Sequence, residues 1–192
     1  MARPSGPRFK VARRFGVNIY DHPKALKRGP KPPKKVSDYG KQLNEKQKLK
    51  AYYDVLEKQF SNLVHAAMHA KGNSGEILIQ RLECRLDNLT YRLGFGASLR
   101  QARQMVVHGH ILVNGKRVDR PSYEVKVGDV LSLRERSQSV QMFKDNFESK
   151  NNYLPYLEKD VTAMKGKLVA LPKRDEVPIE VTDSLIIEYY SK

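Results

Sequence analysis

The fold is decided by residues 76–135, which read EILIQRLECRLDNLTYRLGFGASLRQARQMVVHGHILVNGKRVDRPSYEVKVGDVLSLRE. Leucines recur in the first third of this stretch at the spacing of one buried helix face. They are Leu78, Leu82, Leu86, Leu89 and Leu93. Gly94 and Gly96 follow the last leucine and favour a helix end there. The pattern predicts a helix whose leucine face lies against a core.

A second stripe at helical spacing lies on another side of this predicted helix. It consists of Arg81, Arg85, Asn88 and Arg92. Because residues three and four positions apart share a helix face, we expect the three guanidinium groups to project in one direction. Such a row suits contacts with phosphates better than it suits catalysis.

A second helix is predicted over residues 99–108. Ser98 is a suitable N-terminal cap, and the apolar residues of this segment fall on one side at helical spacing. We expect Arg100, Arg103 and Gln104 to stay outside. The segment therefore predicts a short amphipathic helix with a basic outer face.

A small β-unit is predicted after this helix. Two short apolar or basic runs flank the dipeptide Asn114-Gly115, which is a strong hairpin signal. The same pattern recurs with residues 125–127 and 130–133 around Gly128-Asp129. We therefore expect two hairpins.

Two segments of this stretch resemble the small RNA-binding module named after ribosomal protein S4. They read SLRQARQ at 98–104 and HGHILVNGKRV at 108–118. Similar modules occur in pseudouridine synthases, in a tyrosyl-tRNA synthetase tail and in a heat-shock RNA-binding protein. Alone, the resemblance implies a binding mode.

The flanking sequence is similar to bacterial-type members of the ribosomal protein S4 family from end to end. The segments that carry this similarity are MAR at 1–3, SDYG at 37–40, EKQK at 45–48, VLEKQF at 55–60, KGNSGE at 71–76 and LIIEYYSK at 185–192. The chain is accordingly identified as a member of that family.

The expected fold is α+β with two domains. A helical body domain covers 38–80 and is completed by 160–192, since the resemblance implies that the C-terminus returns to it. An extended basic arm covers 1–37. The two-helix and small-sheet RNA-binding module is inserted at 81–140, and 141–159 is a connector.

The resemblance also implies a function. Family members are structural constituents of the small ribosomal subunit that bind its rRNA at a multi-helix junction and nucleate assembly. They lie beside the channel through which mRNA enters, contact neighbouring small-subunit proteins and contribute to translational accuracy. We therefore expect a ribosomal location in the cytoplasm or an organelle, and neither a membrane nor a small-molecule substrate as partner.

Charge supports a polyanionic partner independently of the resemblance. The chain has 36 Lys+Arg against 21 Asp+Glu and a net charge of +15. Residues 1–50 carry +12 of this charge and residues 81–136 carry +5. The predicted RNA-binding residues are Arg3, Arg8, Lys10, Arg13, Arg14, Lys34, Lys35, Lys46, Lys48, Arg81, Arg85, Arg92, Arg100, Arg103, Gln104, His108, His110, Asn114, Lys116 and Arg117. For His108 and His110, helix capping and packing in the turn remain the alternative.

The N-terminal 35 residues are predicted to be extended, because prolines interrupt any helix and basic residues fill the gaps. A disordered basic tail is one interpretation. The apolar residues Phe9, Phe15 and Ile19 favour the other, an arm that orders on RNA. Further along, a helical period runs from Asp38 to about residue 71. The last third predicts strands at 167–171 and 179–181 and an apolar closing element at 185–190.

One motif suggests an enzyme. RLDNLT at 85–90 matches the Arg-Leu-Asp-x-x-Thr signature of a pseudouridine synthase family, in which the aspartate is the nucleophile. Tyr91 and Arg92 stand where those enzymes continue with Ser-Gly, so we expect Asp87 to pair with a neighbouring arginine. We predict that the chain is not an enzyme; an Asp87-dependent RNA-modifying enzyme and a free RNA chaperone are the alternatives.

No cofactor or metal is expected. Cys84 is the only cysteine, which excludes an intrachain disulfide and a multi-cysteine zinc site. Phe9 and Ala12 stand where many relatives carry two ligands of a zinc knuckle. His65 and His69 have the spacing of helical ligands but lack a nearby third ligand.

Overall fold

The computed structural model describes residues 6–32, 35–150 and 154–191, and the α+β class predicted for the chain is confirmed. The helices of the described residues are α1 (Arg8–Phe15), α2 (Asp38–Tyr52), α3 (Glu57–Met68), α4 (Ser74–Glu83), α5 (Leu86–Arg92), α6 (Leu99–Val107), α7 (Glu135–Gln138), α8 (Gln141–Ser149) and α9 (Asp183–Tyr190). The strands are β1 (Ile111–Val113), β2 (Lys116–Arg117), β3 (Val130–Leu133), β4 (Leu157–Asp160) and β5 (Lys165–Leu168). They form one antiparallel sheet in the order β2-β1-β3-β5-β4. Among the described helices, none is long and apolar enough to cross a membrane.

The described chain divides into two compact units. The first contains residues up to Leu78 and those from Ile179 onward, and the second is Ile79–Pro178. Helix α4 begins in the first unit and ends in the second. Strands β4 and β5 belong to the second unit. We expected residues 160–192 to complete the helical domain, but only the part from Ile179 onward does so.

The core of the first unit lies between α2, α3 and α9. Its fully buried residues include Leu49, Tyr53, Phe60, Val64 and Ile186. Ser37 caps α2, because its Oγ accepts a hydrogen bond from the Gly40 backbone N–H at 3.3 Å. The single helical period predicted from Asp38 onward is wrong over 53–56, where Asp54 has a φ of 49° and the chain turns between α2 and α3.

The prediction that the whole N-terminal segment is extended is wrong over α1. No proline lies between Arg8 and Phe15, and Pro7 precedes the helix, where its missing N–H costs no hydrogen bond. The helix is held by Ala12, which is fully buried, and by Arg13, whose Nε donates to the Gly29 carbonyl at 2.9 Å. Pro7 therefore precedes the helix without disrupting it, and Gly16, with a φ of 70°, ends it.

The sheet of the second unit buries one face. Alternate residues of β1, β3 and β5 point into the core, whereas Leu112, Ser132, Lys165 and Lys167 lie on the other face. Gly166 allows a close approach, since a Cβ at this position would lie 2.5 Å from the Leu93 methyl carbons. Leu93, the C-cap residue of α5, therefore packs directly on β5.

Three strand predictions are corrected. Residues 125–127 form no strand, and β3 pairs with β1 and β5. The strand predicted at 167–171 lies at Lys165–Leu168, and 179–181 are not a strand. The closing element at 185–190 lies within helix α9.

The long leucine-patterned helix is broken between α4 and α5. Arg85 has extended backbone angles, φ −67° and ψ 137°, and forms an isolated β-bridge with Glu124. The Val125 N–H donates to the Cys84 carbonyl at 2.8 Å, and the Leu86 N–H donates to the Tyr123 carbonyl at 2.9 Å. A distant loop thus supplies the hydrogen bonds that a continuous helix would have made internally.

Candidate nucleic-acid interface

The hairpin of β1 and β2 presents two cations to solvent. Asn114 and Gly115 have φ values of 51° and 75°, as a two-residue hairpin turn of type I′ requires, and the predicted hairpin is confirmed. Lys116 and Arg117 on β2 are both exposed. The amide of Asn114 is used within the protein, since its Nδ2 donates to Asp129 Oδ1 at 2.7 Å and its Oδ1 accepts from the Val130 N–H at 2.9 Å.

Helix α6 lies beside this hairpin and places some of the predicted residues outward. Ser98 caps it as predicted, because its Oγ accepts from the Gln101 N–H at 3.3 Å. Gln104 is exposed and Arg100 is half-buried. The expectation that Arg103 also stays outside is wrong, since only 6% of this residue is accessible.

The two histidines after α6 differ in environment. His108 is the C-cap residue of α6 and is exposed. His110 Nδ1 lies 2.9 Å from Ser137 Oγ, and its ring packs edge-on against Phe143 at a centroid distance of 5.4 Å. Burial, together with the neighbouring His108 and Arg134, lowers the pKa of His110. His110 is therefore largely a packing residue, whereas His108 faces solvent.

Asp87 forms buried ion pairs with two of the arginines that the sequence predicted to bind phosphate. Its carboxylate accepts from Nε and Nη2 of Arg85 at 3.1 and 3.0 Å, and from Nε and Nη2 of Arg103 at 2.9 and 2.7 Å. Exposure is 1% for Asp87 and 5% for Arg85. The expected pairing of Asp87 with an arginine is confirmed, and the outward projection expected for Arg85 is wrong.

A second buried acid, Glu83, holds the third arginine of the predicted stripe. Arg92 Nη2 donates to Glu83 Oε1 at 2.7 Å, Asn88 Nδ2 donates to Oε2 at 2.7 Å, and the Tyr156 hydroxyl donates to Oε2 at 3.2 Å. Burial beside Glu83 raises the pKa of Tyr156. Three of the four residues in the expected outward stripe thus bind a buried carboxylate. The fourth, Arg81, is half-exposed and has no carboxylate partner among the ion pairs of the described residues. The break at Arg85 explains this, because it turns α5 out of the register of α4.

The first unit also draws one predicted cation inward. Lys46 is 4% exposed, its Nζ donates to Glu57 Oε1 at 2.7 Å, and it lies over the Tyr189 ring at 4.5 Å from the centroid. Burial alone would raise the pKa of Glu57, but hydrogen bonds from Lys46, Lys50 and Tyr190 lower it to about 2. Lys46 is therefore a packing residue.

The remaining predicted cations of the first unit lie at its surface. Lys10, Arg14 and Lys35 are exposed. Arg8, Arg13 and Lys48 are half-buried, and the Nζ of Lys48 lies 3.9 Å from Glu45. Arg3 and Lys34 lie outside the described residues.

Three exposed arginines in the second unit join the candidate surface although no periodic stripe marks them. They are Arg120, Arg134 and Arg136. The Arg134 N–H donates to the His110 carbonyl at 2.8 Å, which places Arg134 directly beside the two histidines. Only the positive net charge of 81–136 could have indicated them from the sequence.

Within the described residues, no group of three or more histidine, cysteine or acidic side chains could hold a metal ion. Cys84 is buried at the break between α4 and α5, with 3% exposure. Burial, with Glu124 and Glu83 nearby, raises the pKa of this thiol to about 12. Cys84 is a structural thiol at neutral pH.

The two helices, the tight hairpin and their basic outer face define a protein built around an S4 domain. A profile of the S4 domain matches residues 84–131, and a profile of the ribosomal protein S4/S9 N-terminal domain matches residues 3–83. The chain belongs to the uS4 family of small ribosomal subunit proteins, bacterial type.

Several bacterial relatives match over the whole of both chains. Small ribosomal subunit protein uS4B of Clostridium acetobutylicum is 57% identical over 192 residues. Small ribosomal subunit protein uS4 of Finegoldia magna is 50% identical over 199 residues, and that of Thermoanaerobacter sp. strain X514 is 47% identical over 206 residues. Membership of this family makes the chain a structural protein and not an enzyme, which fits an Asp87 covered by two arginines.

Proposed function

We propose that this chain is a constituent of the small ribosomal subunit that binds rRNA directly. The observation that carries the proposal is the full-length similarity to uS4 proteins, combined with an S4 domain whose exposed side chains are mainly cations and hydrogen-bond donors. Such a surface attracts a phosphate backbone, and counterion release makes the affinity fall steeply with salt.

On the second unit, the residues proposed to contact RNA are those that reach solvent. They are Arg81, Arg100, Gln104, His108, Lys116, Arg117, Arg120, Arg134 and Arg136. The major groove of A-form RNA is too narrow for side chains to read its bases. A rigid helix-and-hairpin surface is better suited to the arrangement of several RNA helices, so we propose a multi-helix junction as the target.

Two finer roles follow from the family resemblance. Binding such a junction without help from other proteins would make the chain a primary protein that nucleates assembly of its part of the subunit. The basic surface with Lys35 and Lys48 in the first unit would lie beside the channel through which mRNA enters.

A protein contact is proposed for the surface around α9. Tyr39 is 55% exposed and packs on Tyr189 of α9 with a centroid distance of 5.6 Å. Exposed aromatic side chains are enriched at protein interfaces. We propose that a neighbouring small-subunit protein covers this surface and that the contact contributes to translational accuracy.

The test is binding of the purified full chain to transcribed small-subunit rRNA across a salt series, with hydroxyl-radical footprinting. Saturable binding that protects one multi-helix junction, with a steep salt slope, is expected. Equally tight binding to unrelated structured RNA would contradict the proposal and favour a free RNA chaperone. Lys58→Gln is the matched control for charge changes, because Lys58 is an exposed cation of α3 outside the proposed surface.

A further inference from the structure

We infer that Asp87 is a positioning residue for the candidate RNA-binding surface, because its carboxylate fixes helix α6 against α5. The inference rests on the proposed function, and it assigns a role in RNA binding to a residue that does not itself contact RNA. It reassigns Arg85 and Arg103 from phosphate ligands to the internal clamp that sets where Gln104 and His108 stand.

The clamp is built from five hydrogen bonds to one carboxylate. Arg85 and Arg103 each donate two, and the Asn88 N–H donates a fifth to Oδ1 at 3.0 Å. All three charged side chains are at least nine-tenths buried. Both oxygens of the carboxylate thus accept hydrogen bonds from protein donors.

The bonds join separate parts of the fold. Asp87 lies in the first turn of α5, Arg85 lies in the extended break before it, and Arg103 lies in α6. The Asp87 N–H also donates to the Pro121 carbonyl at 3.2 Å, which ties the same residue to the loop that breaks the helix. One side chain therefore holds the break, α5 and α6 together.

Apolar packing alone would leave the rotation of α6 about its axis weakly defined. Ala102, Met105 and Val106 bury its inner face, but hydrophobic contacts are non-directional. The two guanidinium bonds of Arg103 are directional and fix its rotation. Gln104 is the next residue and His108 follows one turn later, so both move if Arg103 is released.

Glu83 provides the matched control. It is as buried as Asp87 and is bound by an arginine, an asparagine and a tyrosine, but none of these lies in α6. Glu83→Gln and Asp87→Asn remove the same charge from equally buried sites. A general loss of stability would affect RNA binding by both variants alike, whereas a clamp on α6 concerns Asp87 alone.

The direction of the change in RNA affinity distinguishes a positioning role of Asp87 from a purely electrostatic one. Asp87→Asn makes the protein more positive by one charge, so long-range attraction alone predicts tighter RNA binding. Positioning predicts that binding weakens about tenfold. Because Arg100 lies on the same helix as Gln104 and moves with it, the salt slope should also become shallower by about one phosphate contact. The experiment measures both on transcribed small-subunit rRNA, at a temperature where thermal unfolding shows each full-length variant to be folded.

A second variant keeps the test decisive if Asp87→Asn does not fold. The triple replacement Arg85→Met, Asp87→Leu, Arg103→Met substitutes apolar groups for the buried charges, which proteins often tolerate without loss of stability. If the two arginines act only through the clamp, this variant binds RNA within about threefold of the wild type once α6 is packed again, since no phosphate contact is lost.

The outcomes divide clearly. Weaker binding and a shallower slope for Asp87→Asn than for Glu83→Gln, with the triple variant near wild type, supports the clamp. Unchanged or tighter binding by Asp87→Asn, equal losses in Asp87→Asn and Glu83→Gln, or a folded triple variant that loses binding would overturn it. Failure of the wild-type protein to bind the rRNA would instead contradict the proposed function.

Discussion

The segment of α4 and α5 and the hairpin of β1 and β2 both carry cations that the sequence assigns to phosphate contact, yet the two regions use them in opposite ways. In the helical region, Arg85 and Arg92 turn inward to buried carboxylates. In the hairpin, Lys116 and Arg117 stay in solvent. The number of basic residues in an RNA-binding segment therefore overstates the number of charges that RNA can reach.

The difference has a local cause. Glu83 and Asp87 are interleaved with the arginines of the helical region, and the break at Arg85 brings the opposite charges together where water is excluded. The hairpin strand β2 is two residues long and lies at the edge of the sheet, and both of its side chains are exposed. Burial of the partner acid decides whether a cation serves stability or binding.

We expect the largest effect on stability from a substitution of the buried acid Glu83. Glu83→Gln removes the charge that balances Arg92 and weakens the bonds from Asn88 and Tyr156. We expect the free energy of unfolding to fall by about 3 kcal/mol, because an uncompensated buried charge remains. Urea denaturation measures this, with the exposed Glu124→Gln as control; a loss below about 1 kcal/mol would show that the pair is solvated.

A substitution in the hairpin turn should lower the free energy of unfolding, whereas a substitution of a hairpin cation should leave it almost unchanged. Asn114→Ala removes two side-chain hydrogen bonds and places alanine at a positive φ. We expect a loss of about 2 kcal/mol in the free energy of unfolding. Lys116→Ala is the neighbouring control and should change it by less than about 0.5 kcal/mol. Equal effects of the two substitutions in urea denaturation would refute this account of the turn.

Arg117→Gln tests whether an exposed cation of the hairpin contributes to RNA binding. We expect affinity for small-subunit rRNA to fall about tenfold, equivalent to about 1.4 kcal/mol, and the salt slope to decrease by about one contact. Filter binding across a salt series measures both, with Lys58→Gln as the control. A normal slope in Arg117→Gln would remove this arginine from the interface.

The smallest effect is expected at Glu57, where the partner acid is only half-buried. Its pKa is lowered from 4.5 to about 2, so the stability it contributes is present above pH 4.5 and is lost as the pH falls toward 2. Because its side chain is 48% exposed, solvent screening limits this contribution to less than about 1 kcal/mol.

Glu57→Gln should therefore lower the thermal stability slightly at neutral pH. The difference from the wild type should shrink as the pH is lowered through that range. Thermal unfolding of both proteins from neutral to acidic pH measures it. A constant difference at all pH values would mean that the Glu57 charge contributes nothing to folding.

The parts of the fold that sequence predicted well are those governed by neighbouring residues. Asn114-Gly115 predicts its own turn, and Ser98 predicts the start of α6, because each acts through hydrogen bonds or backbone angles within a few residues. The outward positions of Gln104, His108, Lys116 and Arg117 follow from these two features.

The break at Arg85 could not be predicted in the same way. Leucines continue at helical spacing across it, and the groups that interrupt the helix come from the loop at 121–125. Periodicity is a property of nearby residues, whereas this break depends on a contact made only after the chain has folded back. The inward turn of Arg85 and Arg92 cannot be predicted from periodicity for this reason. Arg103 turns inward because it binds Asp87, which lies 16 residues earlier in the chain. Helix α1 was missed because prolines on either side outweighed the proline-free residues between them.

The isolated thiol of Cys84 gives experimental access to this same break. It is the single cysteine of the chain, it is buried, and its raised pKa keeps it protonated at neutral pH. A thiol-reactive reagent can therefore label it only in molecules whose α4–α5 segment has opened. The rate of modification of Cys84 therefore measures the rate of local opening at the break between α4 and α5. No substitution is needed to make this measurement, because the cysteine is already part of the chain's own sequence.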